Sequence, residues 1–142
     1  MSELTEVVNV LEARGHRVTP ARLAVLAQAY RAPDQFAVED LVRAVPQVGR
    51  ATVFRTLRLL VEEEVLCRVL REDGRLRYRW SRRGHHHHLV CRSCGAVRDL
   101  SRCGVPDLLA EAVQAAGFAM DGHWLEVYGR CERCRGTNEA RP

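Results

Sequence analysis

Ten residues near the middle of the chain, His85-His86-His87-His88-Leu89-Val90-Cys91-Arg92-Ser93-Cys94, hold six potential metal ligands and restrict the fold more than any other stretch. Cys91 and Cys94 form a C-x2-C pair, and 36 residues separate it from a second pair, Cys131 and Cys134. Two such pairs are the expected ligands of a closed tetrahedral zinc site, because x2 spacing lets both thiolates of a tight turn meet one ion. Redox C-x-x-C motifs or disulfides are the competing reading, although no thioredoxin-like βαβ pattern flanks either pair. If the histidine run is extended, His86 and His88 face one way while His85 and His87 face the other with Leu89 and Cys91. One short strand can then serve two separate metal sites. A purification tag is the other source of such a run, but tags sit at a terminus and this run is internal.

A chain of 142 residues makes one ordinary domain or two small ones, and two small ones need a staple beyond their cores. The cysteine pairs supply one. There is no apolar run long enough for a membrane helix and no basic-then-apolar leader at Met1, so a soluble, cytoplasmic protein is expected. In a reducing cytoplasm six cysteines read as ligands before disulfides. The net charge of +4 is unevenly placed: residues 1–84 hold 15 Arg against 11 acids, whereas residues 85–142 hold 7 of each. All 22 cationic residues are Arg, which suits bidentate contacts to phosphate and base edges but equally reflects a codon bias. The excess in the first half points modestly to nucleic acid.

Leu4, Val7, Val8 and Leu11 lie at helical spacing over residues 3–14, and Gly15 stops that helix. Thr19 then Pro20 is an N-cap followed by a first-turn proline, and Leu23, Val25, Leu26 and Tyr30 carry a second helix toward Pro33. A third helix is expected at about Val38–Ala44, and a fourth opens near Gly49-Arg50-Ala51. In the fourth, Phe54, Leu57, Leu60 and Val61 can face a core while Arg50, Thr52, Arg55 and Thr56 form a polar, DNA-reading side. Two strands, Val65–Arg71 and Arg75–Trp80, flank Glu72-Asp73-Gly74, a hairpin signal. Helices followed by a two-stranded wing make a winged helix-turn-helix, although an amphipathic helix with solvated arginines explains the fourth segment alone.

Ser81-Arg82-Arg83-Gly84 reads as a linker. Beyond it, strands at about His87–Cys91, Ala96–Leu100 and His123–Tyr128 and a helix at about Asp107–Ala116, capped by Gly117, form a small α/β unit, and residues 136–142 read as a frayed tail. The fold class is α+β: a winged-helix DNA-binding domain over residues 1–82, a hinge at 83–84, and an α/β domain over 85–135 stapled by the four cysteines.

Four motifs, Arg17-Val-Thr-Pro-Ala-Arg22, Ala51-Thr-Val-Phe-Arg-Thr-Leu57, His85-His-His-His-Leu-Val-Cys-Arg-Ser-Cys-Gly95 and Gly129-Arg-Cys-Glu-Arg-Cys134, occur in an order that resembles the ferric uptake regulator (Fur) family of metal-dependent bacterial repressors. The resemblance runs from about residue 10 to 134. It implies a homodimer whose second domain dimerises, and a structural zinc on Cys91, Cys94, Cys131 and Cys134. It places the Ala51–Val61 helix in the major groove of an operator, with Phe54 against thymine methyls, Arg55 on bases or phosphate, and Arg17 near the backbone or minor groove.

The regulatory site departs from the family pattern. Iron-, manganese- and peroxide-responsive members carry a histidine where this chain has Gln35 and a carboxylate where it has Arg79 or Trp80. Zinc-sensing members share the full histidine run but carry an aspartate where Cys67 aligns and a cysteine at Trp80 or Ser81. The expected regulatory set is His86, His88 and Cys67, with Asp99 or a water as the fourth ligand; Cys67 as a small packed hydrophobe is the alternative. A thiolate with two imidazoles favours zinc over manganese or ferrous iron. An auxiliary site is implied by His85, His87 and His123, where the family's glutamate falls at Pro106 and Asp107, Glu111 or Cys103 must stand in.

The expected function is a zinc-responsive repressor that needs structural and regulatory Zn²⁺, binds double-stranded operator DNA as a dimer, and uses no membrane, small organic substrate or active site. Its rivals are a manganese-, iron- or peroxide-responsive repressor of the same fold, a constitutive zinc-stapled DNA-binding protein, and a zinc hydrolase or thiol oxidoreductase. Against an enzyme stand the lack of a carboxylate base beside the histidines and the basic first half.

Overall fold

The computed structural model describes residues 1–81 and 84–136, and the chain divides into two compact units, Met1–Arg83 and Gly84–Pro142. Residues 82 and 83, which hold the expected domain boundary and part of the hinge, and residues 137–142 of the expected tail lie outside the described residues. No helix among the described residues is long and apolar enough to cross a membrane.

The first unit packs four helices and a hairpin around one core. In α1 (Glu3–Ala13) Ser2 Oγ accepts the Thr5 N–H, and Val7 and Leu11 are buried. In α2 (Pro20–Arg31) Thr19 Oγ1 accepts the Arg22 N–H at 3.2 Å, and Pro20 occupies the first turn, where no N–H is needed. Val25, Leu26 and Ala29 face inward, whereas Leu23 and Tyr30 are part-exposed. The short α3 (Val38–Ala44) begins where Asp40 Oδ2 accepts the Ala37 N–H at 2.8 Å.

α4 (Arg50–Glu62) packs against α2, α3 and the first wing strand, and its buried residues are Val53, Thr56, Leu57, Leu59 and Leu60. This corrects the expected faces. Phe54, expected inward, is 42% exposed, and Thr56, expected on the polar side, is fully buried. Val53, Thr56, Leu57 and Leu60 follow the i, i+3, i+4, i+7 stripe, which places Phe54 outside it. Thr56 Oγ1 donates to Thr52 O at 2.7 Å, so its hydroxyl is not orphaned by burial.

The wing pairs β1 (Leu66–Leu70) with β2 (Leu76–Trp80), antiparallel from Leu66↔Trp80 to Leu70↔Leu76. Gly74 at φ +81° and the Arg75 N–H donated to Asp73 Oδ1 shape the turn. Backbone bonds in both directions between Phe36 and Tyr78, at 3.0 and 2.8 Å, tie the hairpin to the helices. Phe36, Leu26, Leu57, Leu60 and Leu66 are all nearly sealed from solvent, each worth roughly 1.5–3 kcal/mol of transfer free energy.

The second unit is a three-stranded sheet ordered β4-β3-β5. β3 (His87–Cys91) pairs antiparallel with β4 (Val97–Leu100) and parallel with β5 (Glu126–Gly129), so a crossover is required, and α5 (Val105–Ala115) forms part of it. α5 opens two residues before the expected Asp107 because Pro106 is tolerated in the first turn. β5 is shorter than the expected His123–Tyr128, and His123 lies in the approach to it. No residue of α5 is buried, and Leu108 is 80% exposed.

Candidate metal centres and the DNA-facing helix

Pairing of β3 with β5 brings the two cysteine pairs together. Cys91 ends β3 opposite Gly129, and the Arg92 N–H donates to Gly129 O at 2.8 Å, which sets Cys131 beside the first pair. Gly95, at φ +76°, donates its N–H to Cys91 O and closes the first turn; the Cys134 N–H donates to Cys131 O and closes the second. The sulfurs of Cys91, Cys94, Cys131 and Cys134 lie within 4.8 Å of one another. Cys94 and Cys131 are 3.7 Å apart and all six cysteines are unbridged, far from the ~2.05 Å of a disulfide.

The N–H groups of Cys94 and Cys131 aim at the Cys91 sulfur and bring its pKa down to about 6, and the Cys134 N–H lowers that of Cys131. Cys134, hydrogen-bonded to the Cys131 sulfur, is pushed up to about 12. Successive thiolates in one turn repel each other, and a divalent cation is what lets all four ionise. The donor set fits a closed tetrahedral zinc site.

The four histidines, of which His87 and His88 lie on β3 and His85 and His86 just ahead of it, fall into two groups. His85 Nε2 lies 3.1 Å from His123 Nε2, which is 3.1 Å from His87 Nε2; Cys103 Sγ lies 3.2 Å from both His87 and His123. His123 Nε2 thus faces three partners, more than one ring nitrogen with a single proton or lone pair can satisfy. Edges near 3.1 Å approach the roughly 3.3 Å nitrogen–nitrogen separation of a tetrahedral zinc ion's ligands. Cys103, from the loop before α5, completes the group where Asp107 was expected; Asp107 is exposed in the first turn of α5. Burial first, then the neighbouring His85 and His123, lowers the His87 pKa and favours its neutral, ligating form.

His86 and His88 form the other group, with ligand nitrogens within 4.8 Å and ring centroids 4.9 Å apart. His86 Nδ1 lies 2.7 Å from Gly84 O. A carbonyl only accepts, so Nδ1 carries the proton and Nε2 the lone pair; that Nε2 is buried without a partner. Asp99 pairs with His88 in the β3–β4 register, its Oδ1 4.0 Å from His88 Nε2. Glu126 meets His88 from β5, its Oε1 2.9 Å from His88 Nδ1, so with Asp99 two carboxylates stand beside the histidines, where the sequence led us to expect no carboxylate base.

In the first unit Cys67 is half-buried on β1, opposite Arg79. Arg79 forms an ion pair with Asp34 at 2.8 Å and puts a cation where a ligating carboxylate was sought. On α4, Arg55 Nη2 donates to Thr52 Oγ1 at 3.1 Å. Arg50 lies over the Phe54 ring at 5.1 Å, doubly bonded to Glu39 at 2.8 and 2.9 Å. Phe54, Arg55, Arg58, Arg68 and Tyr78 help line a groove of about 470 Å³ between α4 and the wing. Arg17 is exposed ahead of α2, its carbonyl bonded by Arg22.

A helix-turn-helix with an exposed arginine-rich fourth helix and three Cys/His groups in the order found here is matched over residues 13–128 by the sequence model of the ferric uptake regulator family. The chain belongs to that family. It is a metal-responsive, DNA-binding repressor of the Fur type. It is 32% identical to the ferric uptake regulation protein of Bacillus subtilis (strain 168), over 95% of this chain and 96% of that one. It is also 29% identical to the peroxide operon regulator of the same organism, over 93% of each. Among solved structures, a zinc uptake regulator complexed with zinc and DNA matches with 25% identity and a TM-score of 0.73, covering 92% of this chain and 91% of that one. These relatives bear iron, peroxide and zinc names, so the metal of this Fur-family chain has to be read from its own ligands.

Proposed function

We propose that this chain is a zinc-responsive repressor of metal-homeostasis genes that binds a palindromic operator as a homodimer in the cytoplasm. The observation that carries the choice of metal is the group formed by His85, His87, Cys103 and His123, three imidazoles and a thiol with no carboxylate. Such a set favours zinc over manganese or ferrous iron by ligand softness. The second support is Arg79, an ion-paired cation where relatives of the harder metals present an acid.

In this reading Cys91, Cys94, Cys131 and Cys134 hold the structural ion, and His86 and His88, with Cys67 and with Asp99 or a water, hold the regulatory one. A zinc ion there would accept the ring-nitrogen lone pairs of the neutral imidazoles and the thiolate of Cys67. Because Cys67 belongs to the wing and the histidines to the second unit, their sharing one ion would favour one placement of the DNA-binding units. Two such units at half-site spacing would then fit the operator. The regulatory ion has only to bind the competent arrangement more tightly than the others, and coupling of about 1–3 kcal/mol is typical.

Linkage supplies the test. Operator DNA should raise the affinity for zinc by the same factor by which zinc raises the affinity for DNA. Equal zinc affinity with and without operator, in protein whose DNA binding needs zinc, contradicts the scheme. Asp99 and Glu126 beside His88 favour a second reading, in which these oxygens recruit manganese or ferrous iron to the same place.

A further inference from the structure

We propose that Glu126 is the positioning carboxylate of the His86–His88 centre, fixing the His88 ring with its proton on Nδ1 so that the Nε2 lone pair is the one a metal would take. The inference rests on the reading of His86 and His88 as regulatory ligands and adds the residue that prepares one of them.

The parallel pairing of β3 with β5 sets His88 opposite Glu126. Both side chains are almost sealed, 4% and 5% exposed. Glu126 Oε1 receives two donors, the His88 Nδ1–H at 2.9 Å and the Trp124 indole N–H at 2.8 Å. An ionised carboxylate only accepts and an indole N–H only donates, so the proton of a neutral His88 belongs on Nδ1 and the lone pair on Nε2. His86 reaches the same tautomer by a different partner, the Gly84 carbonyl.

The remaining atoms point to a cation. His86 Nε2 and Glu126 Oε2 are both buried acceptors with no donor, and Asp99 Oδ1 stands 4.0 Å from His88 Nε2. A buried carboxylate with one oxygen unsatisfied beside a second acid is costly unless positive charge arrives. A carboxylate behind a ligating imidazole both orients the ring and raises its basicity. Glu126 also has the polarity of a strand turned inside out: on β5 the acid faces inward while Val127 is 40% exposed. A residue kept only for strand packing would be apolar there.

The test uses the full chain with its four-cysteine centre loaded, in a His123→Ala background that disables the neighbouring cluster. Zinc affinity is measured by competition with a fluorescent chelator for the parent, Glu126→Gln, Glu126→Ala and His88→Ala, and the His88 tautomer by long-range proton–nitrogen NMR. Glu126→Ala is expected to weaken zinc binding by about 10–100-fold and to let His88 populate the Nε2–H form before metal is added. Glu126→Gln keeps an acceptor oxygen but loses the charge, and should fall between the two. Parent-like zinc affinity in either folded variant overturns the assignment. If Glu126→Ala does not fold, Glu126→Gln decides alone. A His88→Ala protein that binds zinc like its parent instead overturns the ligand reading itself, so the two failures are distinguishable.

Discussion

The Cys103 sulfur lies 3.2 Å from the Nε2 atoms of both His87 and His123, the thiol rather than Asp107 or Glu111 among the three candidates named for that place. Cobalt substitution should therefore give a thiolate-to-metal charge-transfer band from this centre in addition to the bands of the four-cysteine site. Cys103→Ser should remove that increment and weaken zinc there, while Cys91, Cys94, Cys131 and Cys134 keep their ion. An unchanged cobalt spectrum in Cys103→Ser would show that the sulfur only packs.

Removal of metal from the four-cysteine centre should loosen the second unit and spare the first. Structural zinc contributes on the order of 10 kcal/mol in general, more than a domain's net stability of about 5–15 kcal/mol can easily lose. Hydrogen exchange after strong chelation should show protection collapsing over β3, β4 and β5 but persisting in α2 and α4. Because all four ligands must be thiolates, zinc retention should fall as pH drops and protons compete for them, with Cys91, the thiol brought lowest by the Cys94 and Cys131 N–H groups, the last to yield.

Much of this was legible in the sequence, for identifiable reasons. Thr19-Pro20, Asp73-Gly74 and Gly117 are local signals, and the elements they bound appear within a residue or two. His87 and His88 fall in different groups as strand alternation on β3 requires, and His85 and His86, ahead of the strand, join them in the same alternation. Phe54 and Thr56 were assigned to the wrong sides because α4 packs against three elements, and hydrophobicity does not fix which stripe faces them. Glu126 is not legible in the sequence because its partner is set by a parallel pairing that joins positions 38 residues apart. The one visible signal was an acid within Trp124-Leu-Glu-Val-Tyr128.

Two arginines of α4 should behave differently toward DNA. Arg55 is expected to read bases, so Arg55→Ala should cost about 1–3 kcal/mol and relax preference at one operator position. Arg58, 82% exposed and paired with Glu62 beside the wing groove, is expected to meet phosphate. Arg58→Ala should weaken binding uniformly across sequences and reduce the salt slope by about one. Binding measured over a salt series on cognate and shuffled duplexes separates the two.

The end of α4 offers a stability test. Glu64 holds φ +58° without being glycine, a conformation that costs most residues about 1–2 kcal/mol. Glu64→Gly should stabilise the first unit by roughly 0.5–1 kcal/mol, after glycine's own entropy cost is counted. Neighbouring Glu63, held below the usual carboxylate range first by Arg14 and then by His16, should act with the opposite pH sense to a base. Its contribution is present above the unfolded value of about 4.3 and is lost as pH falls below it. Glu63→Gln should flatten that acid limb of the stability curve.

Zinc responsiveness through Cys67, His86 and His88 can be read out as operator binding by fluorescence anisotropy at fixed salt. Protein retaining its structural zinc would be titrated separately with buffered zinc, manganese and anaerobic ferrous ion, alongside Cys67→Ala. Zinc alone, buffered well below micromolar, is expected to switch binding on, and Cys67→Ala to abolish the switch. Activation by manganese or ferrous ion, or a Cys67→Ala protein that responds to zinc as its parent does, would contradict it.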